Sequence, residues 1–86
     1  MNASHEVPRA RRVWFDDENL WVELTDARQL GVPLAYFPRL LKANPEQRKC
    51  CEISGGGTGL HWDALDEDIS VPGLLAGVAQ PAAAAT

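Results

Sequence analysis

This chain of 86 residues has no apolar run near the roughly 18 to 20 residues that a membrane helix requires, so it is expected to be soluble. Its first dozen residues are polar, contain Pro8 and carry Arg9, Arg11 and Arg12 without an apolar stretch behind them, which is not the pattern of a secretory signal; a cytoplasmic protein is expected. Basic residues are missing from its last third. All eight Lys and Arg residues lie at or before Lys49, whereas Glu52, Asp63, Asp66, Glu67 and Asp68 follow it. With a net charge of -4 and a pI near 4.9 there is no basic face to neutralise phosphates, which argues against direct binding of DNA or RNA. The same balance suits a basic protein partner, including the cationic surface of a nuclease or toxin, because complementary charge speeds encounter.

Cysteine is scarce too. Cys50 and Cys51 are adjacent, and neighbouring side chains point to opposite sides of a strand, so they are read as reduced thiols, one of them buried, and not as a disulfide or a zinc site. No Ser or Cys sits in a nucleophile motif with an evident base, and a domain this small has little room for a substrate pocket. The chain is therefore read as non-enzymatic, with no cofactor. The run Gly55-Gly56-Gly57-Thr58-Gly59 lacks the Lys-Ser/Thr of a phosphate-binding loop and reads as a turn permitting positive φ.

What is present is a pattern of strands first and helices second. Arg11 to Phe15 and Leu20 to Leu24 flank the polar Asp16-Asp17-Glu18-Asn19, which predicts a hairpin. A four-residue loop pairs Phe15 with Leu20, Trp14 with Trp21, Val13 with Val22 and Arg12 with Glu23. Val13, Phe15, Leu20, Val22 and Leu24 then share the core face, and Trp14 and Trp21 form an aromatic pair on the other. A third strand, Gln29 to Leu34, follows a turn. One residue beyond a two-residue loop matches Leu24 with Leu30 and Val22 with Val32, so an odd-numbered loop with a bulge is expected there. Pro33 makes this an edge strand or its end.

From Tyr36 the period is helical, with Phe37, Leu40 and Leu41 inward. Asn44-Pro45-Glu46-Gln47 restarts the helix, which runs to about Lys49, with an Asn cap, Pro in the first turn and Gln completing a capping box. Cys50 to Ser54 reads as a strand and Leu60 to Trp62 as a brief extended piece. Asp63 to Asp68 reads as a turn into Ile69-Ser70-Val71, and Gly73-Leu74-Leu75 as one helical turn. The fold class is α+β: an N-terminal three-stranded antiparallel sheet, a short broken helix and a further C-terminal strand with a short helix. Residues 1 to 8 are expected to be a loose arm, 9 to 77 a single domain, and 78 to 86 an Ala/Pro-rich disordered tail.

His61 with Asp63, Asp66, Glu67 and Asp68 concentrates one imidazole and four carboxylates between large apolar residues. Such a set can hold a divalent cation or form an acid-base pair, most simply through His61, Asp63, Asp66 and Asp68. It serves equally as turn caps and solvated charge around a packed His61. As a charged surface, Asp63, Asp66, Glu67 and Asp68 are candidate contacts for a partner. Trp14 and Trp21 beside Arg12 and Arg28 are a second candidate, since interface centres are enriched in Trp and Arg, unless helices cover that face.

The blocks Val32-Pro33-Leu34-Ala35-Tyr36-Phe37-Pro38-Arg39-Leu40-Leu41, Ala43 to Arg48, Gly59-Leu60-His61-Trp62, Leu65 to Ile69 and Leu74-Leu75 resemble, in this order, the DUF2442 family of small bacterial proteins. The resemblance spans about residues 7 to 76 and implies a small α+β domain, similar to the N-terminal domain of a Nitrosomonas protein in which a helix-turn-helix follows. Members look like partners of DUF4160-type proteins in arrangements similar to toxin-antitoxin pairs, which implies an antitoxin-like or regulatory role and a basic DUF4160-like toxin as partner. Ala27 stands where the family usually has Gly in a tight turn, and no helix-turn-helix follows residue 76. A third reading is thus a dimerisation or sensory domain of a regulator without its DNA-binding part, with a homodimer as its assembly.

Overall fold

Alternation in the first twenty-odd residues of the domain builds a meander. The computed structural model describes residues 7–77, in which β1 (Ala10–Phe15), β2 (Asn19–Leu24) and β3 (Gln29–Pro33) form an antiparallel sheet in that order. Residues 1–6 of the expected arm and the whole of the expected tail, 78–86, lie outside the described residues.

The β1–β2 register is the one the residue chemistry predicts: Phe15 faces Leu20, Trp14 faces Trp21, Val13 faces Val22 and Arg12 faces Glu23. A bulge between Ala10 and Arg12 then brings Ala10 opposite Leu24 and into the core. Asp16 organises the loop by accepting hydrogen bonds from the backbone N–H of Glu18 at 2.9 Å and of Asn19 at 2.7 Å.

The β2–β3 loop has an odd number of residues, as expected, but its register is corrected by two. Val22 faces Leu30 and Leu20 faces Val32, where the sequence pattern paired Leu24 with Leu30 and Val22 with Val32. The loop is Thr25-Asp26-Ala27, closed by Ala27 N–H donating to the Leu24 carbonyl at 2.9 Å and Leu24 N–H to the Arg28 carbonyl at 2.8 Å. A three-residue hairpin loop of this type needs a left-handed third residue, and Ala27 takes φ 75. A slip of two preserves the faces, so apolar alternation cannot distinguish the two registers.

After a 3-10 turn over Leu34–Tyr36 come α1 (Pro38–Lys42) and α2 (Pro45–Lys49). The α2 capping box is complete: the Asn44 side chain accepts from Gln47 N–H at 2.8 Å and the Gln47 side chain accepts from Asn44 N–H at 3.0 Å. Phe37 and Leu40 are buried, but Leu41 is 49% exposed, which corrects its expected inward position. A helix as short as α1 meets the core along one narrow stripe, and Leu41 lies about 100° around from Leu40.

The second half holds more strand than expected. The structure has β4 (Glu52–Ser54), β5 (Gly59–Trp62) and β6 (Glu67–Ser70) in a second three-stranded antiparallel sheet, followed by α3 (Val71–Ala76). Glu67 and Asp68, read from sequence as part of a turn, are strand residues; the turn is Asp63–Leu65 with Asp66 left-handed behind it. Their only apolar strand neighbour is Ile69, too little alternation to signal a strand. The α+β class stands, with one core between the two sheets and the short helices: Leu20, Val22 and Leu24 from one sheet meet Leu60, Trp62 and Ile69 from the other, together with Leu34, Leu40 and Val71. Each such side chain contributes about 1.5 to 3 kcal/mol on full burial. No described helix is long and apolar enough to cross a membrane.

Candidate functional site

The outer face of the first sheet carries the tryptophan pair. Cross-strand pairing of Trp14 with Trp21 stacks their rings, with centroids 6.3 Å apart and planes 12° apart. The Arg12 guanidinium sits 4.6 Å from the Trp14 ring centroid while its Nε donates to Glu23 at 3.0 Å, and Arg11 meets the other Glu23 oxygen at 3.2 Å. Trp21 Nε1–H donates to Asp16 at 2.8 Å, which is the leading cause holding the Asp16 carboxyl below its ordinary value; backbone donation from Glu18 adds to it. Both indoles are half-buried, and the helices bury Phe37, Leu40, Val71 and Leu74 in the core on the opposite face. Arg28 does not join this patch, because it turns to Asp26 at 2.8 Å.

The acidic segment divides in two. Pairing across the second sheet puts Glu52, His61 and Asp68 in one row on its outer face. His61 Nδ1 lies 2.6 Å from Asp68 and Nε2 lies 3.4 Å from Asp63, so each ring nitrogen faces a carboxylate. These bonds, the one to Asp68 first, raise the His61 pKa above its ordinary value. Asp63 and Asp68 remain largely solvent-facing, at 95% and 76% side-chain exposure.

Glu67 takes the other direction. Opposite Trp62 on the inward face, it is 17% exposed, and burial raises its carboxyl above the ordinary value while Arg39, 3.7 Å away, pulls the other way. Arg39 also donates to the Asp66 backbone carbonyl, and the Asp66 side chain joins neither pairing. Of the four acidic residues proposed from sequence, only Asp63 and Asp68 flank His61. Among the described residues no cluster of three or more His, Cys, Asp and Glu side chains is arranged to hold a metal ion.

The sequence reading passed over Arg48, which ties the two halves together. Its Nε donates to the Leu40 carbonyl at 2.8 Å and its Nη2 to the Leu41 carbonyl at 2.9 Å, capping α1, while its own carbonyl accepts from Trp62 Nε1–H at 2.9 Å. Its position one residue after the capping box was the available signal. Phe15 meets Trp62 edge-on with centroids 6.4 Å apart.

Two three-stranded sheets, capped short helices and networks of ion pairs and stacked rings define a small two-sheet α+β domain. The chain belongs to the DUF2442 family, described as proteins of unknown function, whose model matches residues 10–80. It is similar to a crystal structure of a protein of unknown function from Rhodospirillum rubrum, at 36% identity and TM-score 0.76, covering 85% of this chain and 90% of that one. It is also similar to the solution structure of an uncharacterized protein from Chromobacterium violaceum, at 30% identity and TM-score 0.70, covering 81% of this chain and 66% of that one. No curated protein matches it.

Proposed function

We propose that this protein is a non-enzymatic protein-interaction module, an antitoxin-like or regulatory partner that binds a basic protein. The observation that carries the reading is the half-buried Trp14–Trp21 stack on the outer face of the first sheet, beside Arg12. Half-exposed indoles with a neighbouring guanidinium are the side chains that dominate interface energetics. Asp68 and Glu52 on the second sheet and Asp63 in the turn between its last two strands supply negative charge that steers a cationic partner to the domain. Glu67, paired inward with Arg39, is a support of the fold and leaves the set of candidate contacts.

A pull-down of the tagged chain from its host at low salt, read by mass spectrometry, tests this. One small basic protein in stoichiometric amount, lost with Trp14→Ala and less salt-sensitive with Asp63→Lys/Asp68→Lys, is expected. Recovery of the chain without any such protein sinks the reading.

A further inference from the structure

Hydrogen bonding along β1 alternates between its two edges. Asp16 N–H donates to the Asn19 carbonyl at 3.1 Å, so this pair is hydrogen-bonded, and alternation makes Trp14–Trp21 and Arg12–Glu23 bonded pairs as well. Val13 and Phe15 occupy the non-bonded positions, so their N–H and C=O groups point away from β2, and none of the four has a hydrogen-bond partner among the described residues. No strand covers this edge. Instead α2 walls it at a distance, leaving a cleft of about 320 Å³ lined by Val13 to Asp17 on one side and Pro45, Arg48 and Lys49 on the other. That volume is at the lower end of the range for small-molecule sites, about 300 to 1,000 Å³.

Charges of both signs border this cleft without a partner in the fold. Lys49 and Asp17 are exposed, and neither makes an ion pair or a side-chain hydrogen bond among the described residues. Arg48 commits Nε and Nη2 to the Leu40 and Leu41 carbonyls, but its Nη1 has no such partner. A ligand of one sign satisfies one end of this set and is repelled by the other. An α-amino acid zwitterion suits both, since its carboxylate accepts from a backbone N–H, from Lys49 and from Arg48 Nη1, while its ammonium donates to a backbone C=O and to Asp17. Val13 and Phe15 are only partly buried and Pro45 faces them, so the space beside them favours an apolar side chain. We infer that the cleft between the β1 edge and α2 binds a free α-amino acid with an apolar side chain. The bound molecule satisfies backbone groups that no strand reaches and completes the cover of Val13 and Phe15.

L-Leucine titrated into the isotope-labelled full chain tests this by NMR. Saturable shifts of the Val13, Phe15, Asp17 and Lys49 amide signals are expected. N-acetyl-L-leucine lacks the ammonium and L-leucinamide lacks the carboxylate, so each should bind about tenfold more weakly, the loss of one charge-assisted hydrogen bond. Lys49→Ala should weaken leucine by a similar factor and leave leucinamide unchanged, whereas Asp17→Asn should weaken leucine and leave N-acetyl-leucine unchanged. Neither side chain has a partner in the described fold, so both variants keep it, as the tryptophan exciton signal in circular dichroism will verify. Absence of saturable shifts at tens of millimolar leucine overturns the proposal. An equal response to the three probes also overturns it, because that marks an apolar patch without zwitterion recognition, and so does leucine binding that both variants leave intact. The readout is a small molecule on the protein alone, so its failure is distinct from failure to capture a protein partner.

Discussion

Trp21 rests against Gly31, its cross-strand partner, so closely that a Cβ at position 31 would stand 2.6 Å from two of its ring carbons. The absent side chain is what lets the indole lie over β3 and present its other side to Trp14. Gly31→Ala is expected to push the ring off the strand, break the stack with Trp14 and cost about 1 to 3 kcal/mol, the range for overpacking. Urea unfolding with the exciton signal as probe checks this. Adding Trp21→Ala should make the Gly31 substitution nearly neutral.

Ala27 carries a side chain at φ 75, where an L-residue is disfavoured by about 1 kcal/mol or somewhat more. Ala27→Gly should therefore raise the melting temperature without changing the β2–β3 register, in contrast to the usual effect of introducing glycine. A lower melting temperature would show that the turn is not strained.

Arg48 joins α1 to the second sheet through three hydrogen bonds, two from its guanidinium and one to its carbonyl. Arg48→Met keeps the apolar stem and the backbone bond to Trp62 but leaves the Leu40 and Leu41 carbonyls without their charged donor. A loss of about 1.5 to 3 kcal/mol in denaturant unfolding is expected. Lys should rescue only part of it, since an ammonium does not reproduce the planar fork.

His61 titrates above its ordinary value of 6.5 because Asp68 and Asp63 bind the protonated ring. A raised folded-state pKa gives stability that is fully present below the unfolded value and is lost as pH rises through the folded one. The melting temperature of the wild type should thus exceed that of His61→Gln most at about pH 5 to 6, and the gap should close toward alkaline pH. NMR titration of the ring should show the raised midpoint, and Asp68→Asn should lower it more than Asp63→Asn.

The adjacent thiols should react unequally. Cys50 is exposed, whereas burial pushes the Cys51 thiol up to about 11. Brief alkylation near neutral pH followed by peptide mass spectrometry should label Cys50 alone; equal labelling would mean that Cys51 is not shielded.

The sequence by itself determined whatever rests on near neighbours. The first hairpin was legible because each cross-strand pair matches in chemistry, and a slip of one residue would carry Phe15 and Leu20 to the solvent face. The α2 start was legible because a capping box is complete within four residues, and the family because its blocks keep their order. Tertiary structure decided what depends on distant chain segments. It chose between β2–β3 registers that differ by two, which bury the same faces, and it recruited Glu67 and Asp68 into a strand that their own apolar content does not specify. It sent Asp68 to His61 and its neighbour Glu67 to Arg39, twenty-two residues before His61 in the chain, because strand pairing turns alternate side chains to opposite faces. How far the tryptophan face was covered also lay beyond local pattern, since it depended on where distant segments packed: Leu40, Val71 and Leu74 went to the core on the far side of the sheet, while Pro45, Arg48 and Lys49 of α2 came to line a cleft beside Trp14.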